Sequence, residues 1–263
     1  MGKGRRGPMK TLVTANQKGG VGKTATLVHL AFDFAERGLK VAVIDLDTQA
    51  NASFTLKTYR SGVTASSMFS NESIVSQISD ENINMMLIES DAGLADLEKM
   101  ALPDAARNFQ KAIAELDAKG FDVCLMDTAP SLGVTMAAAL LSADYVLSPI
   151  ELEAYSIQGI HQMVTTIVNI RKVNKKLKFI GMVPSKVDSR NPRHGRHLNE
   201  LNTAYPSMMV PLSVGLRSSI PDALASCSPV WKIKKTAARV AAKEVRALAA
   251  YVFTQMEITN DVR

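Results

Sequence analysis

A single-domain α/β fold of the P-loop NTPase kind, a mostly parallel twisted sheet with helices on both faces, is predicted by three features of the 263-residue chain. Short apolar runs alternate with segments of helical spacing. The runs lack polar/apolar alternation, so both faces of each strand are expected to be covered. A glycine-rich turn joins the first run to the first helical segment. The length suits one large domain with a sizeable core, and nothing forces a second. The expected organisation is a flexible basic leader at 1–9, one domain over 10–256 and a polar tail at 257–263.

The strand-like runs are TLVTAN (11–16), KVAVIDLD (40–47), FDVCLMD (121–127), DYVLSPI (144–150) and KFIGMVP (178–184), with INMMLIES (83–90) as an edge strand. Residues 24–37 place Leu27, Leu30, Ala31 and Phe34 at helical spacing, and Gly38 is a plausible stop. Helices are also expected over 92–118, broken near its start by Pro103, over 131–142 and over 156–172. The Ser-, Thr- and Asn-rich residues 48–82 read as a loose connection. After 184 come a polar loop, SKVDSRNPRHGRH, a proline-punctuated stretch to 230 and a final helix near 232–256.

Hydrophobic content of 46% and charged content of 21% are ordinary globular values. The two cysteines, Cys124 and Cys227, lie far apart, which argues against a disulfide framework or a Cys-x-x-Cys metal site and suits a reducing cytosol. No apolar run approaches the roughly 18 residues of a membrane span. The basic start MGKGRRGP lacks the apolar segment of a signal peptide. Net charge is +6, but residues 171–246 hold 16 Lys+Arg against four Asp+Glu, a net of +12, leaving −6 for the rest. Such asymmetry points to a localised polyanion-binding surface, with nucleic acid first and anionic membrane second.

The chemistry concentrates in three blocks. In QKGGVGKT (17–24), Gly19, Gly20, Val21 and Gly22 lead into Lys23, Thr24 and Ala25 at a helix start, the strand–turn–helix context of a phosphate cradle. Lys23 is expected to reach the β- and γ-phosphates and the Thr24 hydroxyl to ligate Mg²⁺. Gln17 stands where the ordinary loop has its first glycine, and Lys18 is a second lysine at the mouth. LMDTAPS ends a strand in Asp127, the place of a carboxylate that holds Mg²⁺. IDLDTQAN supplies Asp45 and Asp47, two residues apart and so on one side of a sheet. One of them could act near the metal while the other positions the attacking water.

KGGVGKT, IDLDTQANA and LMDTAPS together resemble the deviant Walker A, A′ and B motifs of the ParA/MinD ATPases, most closely the short, Soj-like ParA partition proteins. PIELEAYSIQGI (149–160) and VGLRSSIPDALASCSPV (214–230) extend the likeness, which covers most of the chain from Lys10 onward. The resemblance implies ATP and ADP as ligands with Mg²⁺, weak ATPase activity, an ATP-dependent sandwich homodimer, non-specific binding to double-stranded DNA and stimulation by a ParB-like partner. The setting implied is a bacterial cytoplasm, on the nucleoid. It assigns Lys18 to the partner subunit's nucleotide and Lys23 and Thr24 to the subunit's own. Asp47 takes the hydrolytic role, Asp127 the Walker B role, Pro211 a nucleotide contact and Arg217 a DNA contact. In the A′ block Thr48 and Ala50 replace the family's usual Pro and Gly. The cargo, plasmid, chromosome or a protein assembly such as a chemoreceptor cluster or microcompartment, is left open.

In the last helix Lys235, Arg239, Lys243 and Arg246 recur at spacings of four, four and three, opposite Ala241, Val245, Leu248 and Val252. With Arg190, Arg193, Arg196 and Arg217 they form the expected DNA-phosphate surface. Few aromatics lie among them, which fits duplex backbone contact over base stacking. The chain ends in the polar MEITNDVR, not an apolar membrane-inserting face. A metabolic P-loop enzyme would need a substrate motif, and an iron–sulfur reductase two well-placed cysteines; neither is found. His194 and His197 read as surface-loop residues, and Met85, Met86, Met208 and Met209 as filler.

Overall fold

Strands whose residues are apolar on both sides can only be satisfied between two layers, and the structure places them there. The computed structural model describes residues 7–78, 84–152 and 156–258. Its seven strands are β1 (Lys10–Thr14), β2 (Val41–Leu46), β3 (Arg60–Thr64), β4 (Met85–Glu89), β5 (Val123–Thr128), β6 (Tyr145–Glu151) and β7 (Lys178–Ser185). They form one sheet in the order β3-β4-β2-β5-β1-β6-β7, every pair parallel. Every residue of β2 and β5 is buried.

One face is covered by α1 (Lys23–Glu36), α7 (Ser219–Ala225) and α8 (Thr236–Gln255), with Leu27, Leu30, Phe34, Val245, Leu248 and Val252 in its core. The other carries α3 (Leu102–Ala118), α4 (Val134–Ser142) and α5 (Ser156–Val173), around Phe109, Leu116, Met136, Leu140 and Met163. The apolar side expected of the last helix, Ala241 through Val252, is the buried one.

Three expectations are corrected. Residues 85–89 are not the sheet edge; β3 is, and it arises inside the stretch read as a loose connection, as does the short helix α2 (Asn51–Thr55). The stretch 185–197 is not all loop: α6 (Pro192–Ala204) starts there, with the Asn191 side chain accepting the Arg193 N–H and Pro192 in the first turn. Met9 belongs to the core and not to a leader, for it is buried and its N–H donates to Asp117 Oδ1 at 3.0 Å. Glu257, which opens the expected polar tail, is exposed and pairs with Lys178 at 2.6 Å. Residues 1–6 and 259–263 of the expected leader and tail, and residues 153–155 of PIELEAYSIQGI, lie outside the described residues.

Of the polar contacts that tie α1 to the C-terminal elements, which include the Trp231 N–H on Glu36 at 3.0 Å, two bear directly on stability. Arg246 of α8 reaches the fully buried Asp33 at 2.5 Å, also bonds Glu36, and lies 3.7 Å above the Trp231 ring. Arg37 shares Asp33, so this carboxylate keeps one partner if Arg246 is lost. Arg246→Ala should therefore cost roughly 1–2 kcal/mol, below the full penalty of an orphaned buried charge, whereas Arg239→Ala, on an exposed face, stays within about 0.5 kcal/mol; urea denaturation of both variants measures this.

The second contact is His29, whose Nδ1 lies 2.7 Å from Ala25 O while its Nε2 accepts the Val230 N–H at 3.1 Å. The ring is therefore the neutral Nδ1–H tautomer. Burial pushes its pKa down to about 4 despite the Ala25 carbonyl. The unfolded chain, with an ordinary histidine, binds the proton first as pH falls. The stabilisation is complete above about pH 6.5 and is lost between there and about pH 4, up to about 3 kcal/mol. In His29→Gln this component is absent, so the stability gap between wild type and variant should shrink over that window in denaturation curves taken at each pH.

Candidate functional site

Strand register assembles the site. Asp127 stands opposite Asp45 of β2 on one side and Thr14 of β1 on the other. All three lie at the carboxyl ends of central strands, where a parallel sheet opens its ligand crevice. Two residues after Thr14 the chain enters the glycine turn, where Gly20 and Gly22 have φ of 77° and 94°, conformations that glycine alone adopts without strain. The turn delivers Lys23 and Thr24 to the first residues of α1.

The Thr24 hydroxyl donates to Asp127 Oδ2 at 2.6 Å, and the Thr14 hydroxyl to Oδ1 at 3.2 Å. Asp127 is fully buried; burial, with the Asp45 charge beside it, pushes its carboxyl up to about 7. Lys23 is buried as well, its Nζ donating to the Lys18 carbonyl at 3.2 Å. Burial lowers its pKa against the pull of Asp127 and Asp47. A buried ammonium, backbone N–H groups at a helix start and a hydroxyl–carboxylate pair fit a polyphosphate with a hard divalent cation.

Asp47 lines the same cavity, of about 580 Å³, and its Oδ1 accepts the Gln49 N–H at 2.9 Å. Gly19, Gly20, Gly22, Lys23, Thr24 and Ala25 line it too; Val21 is instead buried. Asp45 departs from its expected metal position. Its Oδ2 accepts both the N–H and the hydroxyl of Ser53 at 2.7 Å, and its Oδ1 the Asp47 N–H at 3.1 Å. Burial raises its pKa and the Ser53 bonds oppose this. Asp45 thus anchors α2 and the Asp47 loop. Ala50, where the family's glycine was expected, holds a left-handed backbone with φ 54° as it opens α2.

Lys18 stands outside the cradle with its Nζ 3.0 Å from Glu151 Oε2. Gln17 turns away to Thr166, donating to its hydroxyl at 3.1 Å. Pro211 is exposed and is not among the residues lining the cavity. Residues without an expected role at the site include Lys186, Pro130 and the apolar set Phe54, Ile220, Leu224 and Val245, which line the cavity, and Ser53, which supports it through Asp45. Pro130 falls within LMDTAPS and Ile220 and Leu224 within VGLRSSIPDALASCSPV, but Ser53, Phe54, Lys186 and Val245 belong to no motif block, and only tertiary packing brings them to the cavity.

The eight expected DNA contacts divide. Arg193, Arg196, Arg239 and Lys243 are exposed and pair with no carboxylate among the described residues. Arg190 pairs with Asp188 at 3.1 Å, Lys235 with Asp222 at 2.7 Å, and Arg217 with Glu244 at 2.7 Å. Arg246 belongs to the Asp33 contact described above. Among the described residues no cluster of three or more His, Cys, Asp or Glu could hold a metal, and no helix is long and apolar enough to cross a membrane. Cys124 is fully buried in β5 and burial raises its thiol pKa, as a packing residue's would be.

A family model described as an AAA domain matches residues 9–179. The protein IncC of Escherichia coli is 65% identical over 259 residues, covering 96% of this chain and 71% of that protein. The chromosome partitioning protein ParA of Caulobacter vibrioides is 32% identical over 192 residues, 70% of this chain and 72% of that one. Cobyrinic acid a,c-diamide synthase of Mycobacterium smegmatis, solved with bound ADP and magnesium, is 25% identical with a TM-score of 0.71, covering 95% of this chain and 96% of the other. A biosynthetic enzyme thus shares the fold, and the choice rests on the closer sequence relatives and the three motif blocks. On those grounds this chain belongs to the ParA/MinD family of P-loop ATPases.

Proposed function

We propose that the chain is an Mg²⁺-dependent partition ATPase that pairs with itself on ATP, binds duplex DNA without reading its sequence, and is released when a ParB-like partner stimulates hydrolysis. The observation that carries this reading is the contact between Thr24 and Asp127 beside a buried Lys23, which brings two of the three motif blocks together in a form suited to a phosphate and a cation. The chromosome partitioning relative supports segregation of DNA as the task; the proposal places it, for plasmid or chromosome, in the cytoplasm on the nucleoid.

In this reading Lys23 and the cradle N–H groups hold the β- and γ-phosphates, and Thr24 with Asp127 holds Mg²⁺. The cation would neutralise charge on the phosphoryl oxygens as the terminal bond breaks. Asp47 has one oxygen fixed by the Gln49 N–H. Its other oxygen orients a water and accepts its proton as that water attacks the terminal phosphorus, ADP leaving with the bridging oxygen. Lys18 leaves Glu151 to reach the nucleotide of the second subunit. Arg193, Arg196, Arg239 and Lys243, joined by Arg190, Arg217 and Lys235 when their ion pairs exchange for phosphate, form the DNA surface; the more exposed of these pairs, those of Arg190 and Lys235, are worth little.

Sedimentation and DNA co-pelleting with ATP or ADP test this. ATP should give a dimer that binds any duplex, and removing Arg193 or Arg239 should lower the salt slope by about one each across all sequences. Equal DNA binding with ADP and ATP, or a Lys18→Ala variant that dimerises and hydrolyses normally, would overturn the reading. Ala50 also offers a test of the loop that carries Asp47: Ala50→Gly relieves a left-handed alanine and should raise stability by about 1 kcal/mol in thermal denaturation.

A further inference from the structure

One lysine at the site belongs to none of the motif blocks. Lys186 follows β7 directly, and its backbone is left-handed, with φ 53°. For a residue with a Cβ this costs on the order of 1 kcal/mol and persists where the surroundings impose it. The surroundings here are specific. Val214 N–H donates to Pro184 O at 2.9 Å, Val187 N–H to Val214 O at 3.0 Å and Leu216 N–H to Val187 O at 3.0 Å, so both sides of Lys186 are tied to the 214–216 segment. Ser185, just before it, packs beside Gly22, where an added Cβ would meet the serine Cβ at 3.7 Å. Lys186 is thereby fixed next to the cradle and lines the same cavity as Lys23.

Its side chain ends on Glu151. Lys186 Nζ lies 2.9 Å from Oε1, and Lys18 Nζ lies 3.0 Å from Oε2 of the same carboxylate. Burial disfavours the charge on Glu151, yet the bonds and charges of Lys186 and Lys18 outweigh it and hold the carboxyl below the usual glutamate range. The two lysine side chains are 47% and 46% exposed, so each can swing on its four-carbon stem without disturbing the core. Two ammonium groups on one carboxylate leave an excess positive charge beside the cavity that Lys186 lines. A nucleotide polyphosphate carries several negative charges and outcompetes one carboxylate for them.

We propose that Lys186 is a further nucleotide-phosphate-binding residue of its own subunit, and that Glu151 is a positioning residue that holds Lys186 and Lys18 beside the cavity until a polyphosphate displaces it. The proposal rests on nucleotide occupying the cradle but not on dimerisation, so ADP is the informative ligand. Equilibrium titration of the full-length chain with a fluorescent ADP analogue and Mg²⁺ reads it. Lys186→Met should weaken binding by about fivefold, and Lys186→Arg should restore it to within about twofold. Glu151→Gln should tighten binding by about threefold, and that gain should vanish in the Lys186→Met background, which a general change in local charge would not produce. Unchanged affinity in Lys186→Met overturns the phosphate role. Tightening by Glu151→Gln that survives in the double variant overturns the positioning role. Wild-type chain that binds neither ADP nor ATP overturns the underlying nucleotide reading instead. Melting curves of each variant without nucleotide, expected to match wild type, separate these outcomes from misfolding; a Lys186→Met melt that falls below wild type would place Lys186 in the fold and overturn the proposal.

Discussion

Two aspartates sit side by side in the middle of a sheet with no access to water, and the rest of the site follows from that constraint. Asp45 and Asp127 face each other across neighbouring strands, which lie about 4.8 Å apart. Both are fully buried. Two carboxylates so placed cannot both ionise without donors or cations to compensate. The chain satisfies them differently. Asp45 takes three donors from its own segment, Ser53 twice and the Asp47 N–H. Asp127 takes only two hydroxyls, from Thr14 and Thr24, and its charged form still calls for a cation. The asymmetry makes one carboxylate a structural anchor and, on the proposed reading, leaves the other to hold a metal.

That anchor explains the geometry of the loop that carries Asp47. With Asp45 holding both the start of α2 and the Asp47 N–H, the segment between them has few conformations open to it, and Ala50 is forced into the left-handed region. A glycine would adopt that backbone freely but would also leave the segment looser in the unfolded chain. The alanine trades local strain for a loop with fewer alternatives, next to the carboxylate that on the proposed reading holds a water in one place.

The sheet and its central helices were legible because buried parallel strands are short continuous apolar runs and α1 carries a regular apolar stripe. The three motif blocks were legible because the strand ends that carry them need specific residue types. What escaped was set by tertiary contact. The edge strand β3 reads RSGVT, with only Val63 fully buried, so it lacks the apolar run that announced the others. The helix α6 has a mean composition as polar as a loop, and only the Asn-Pro pair at its start signals it. Asp45 and Asp47 could not be told apart by spacing. Ser53, eight residues downstream of Asp45, decides between them.

The charge asymmetry of the sequence also needs reinterpretation. Of eight basic residues expected to face DNA, Arg190, Arg217, Lys235 and Arg246 are matched by carboxylates within the chain, and Arg246 is committed to the packing of α1 against α8. On the proposed reading the four unmatched cations alone, before any ion pair exchanges for phosphate, give a counterion-release slope of about −3.6, a weak and salt-sensitive attachment for a single chain. Two chains presenting both patches to one duplex would double that slope to about −7. Pairing alone can therefore move the molecule between unbound and bound at fixed salt, with no change in the DNA-facing residues themselves. On the proposed reading, nucleotide at one end of the sheet governs DNA at a distance by deciding how many copies of a weak patch act together.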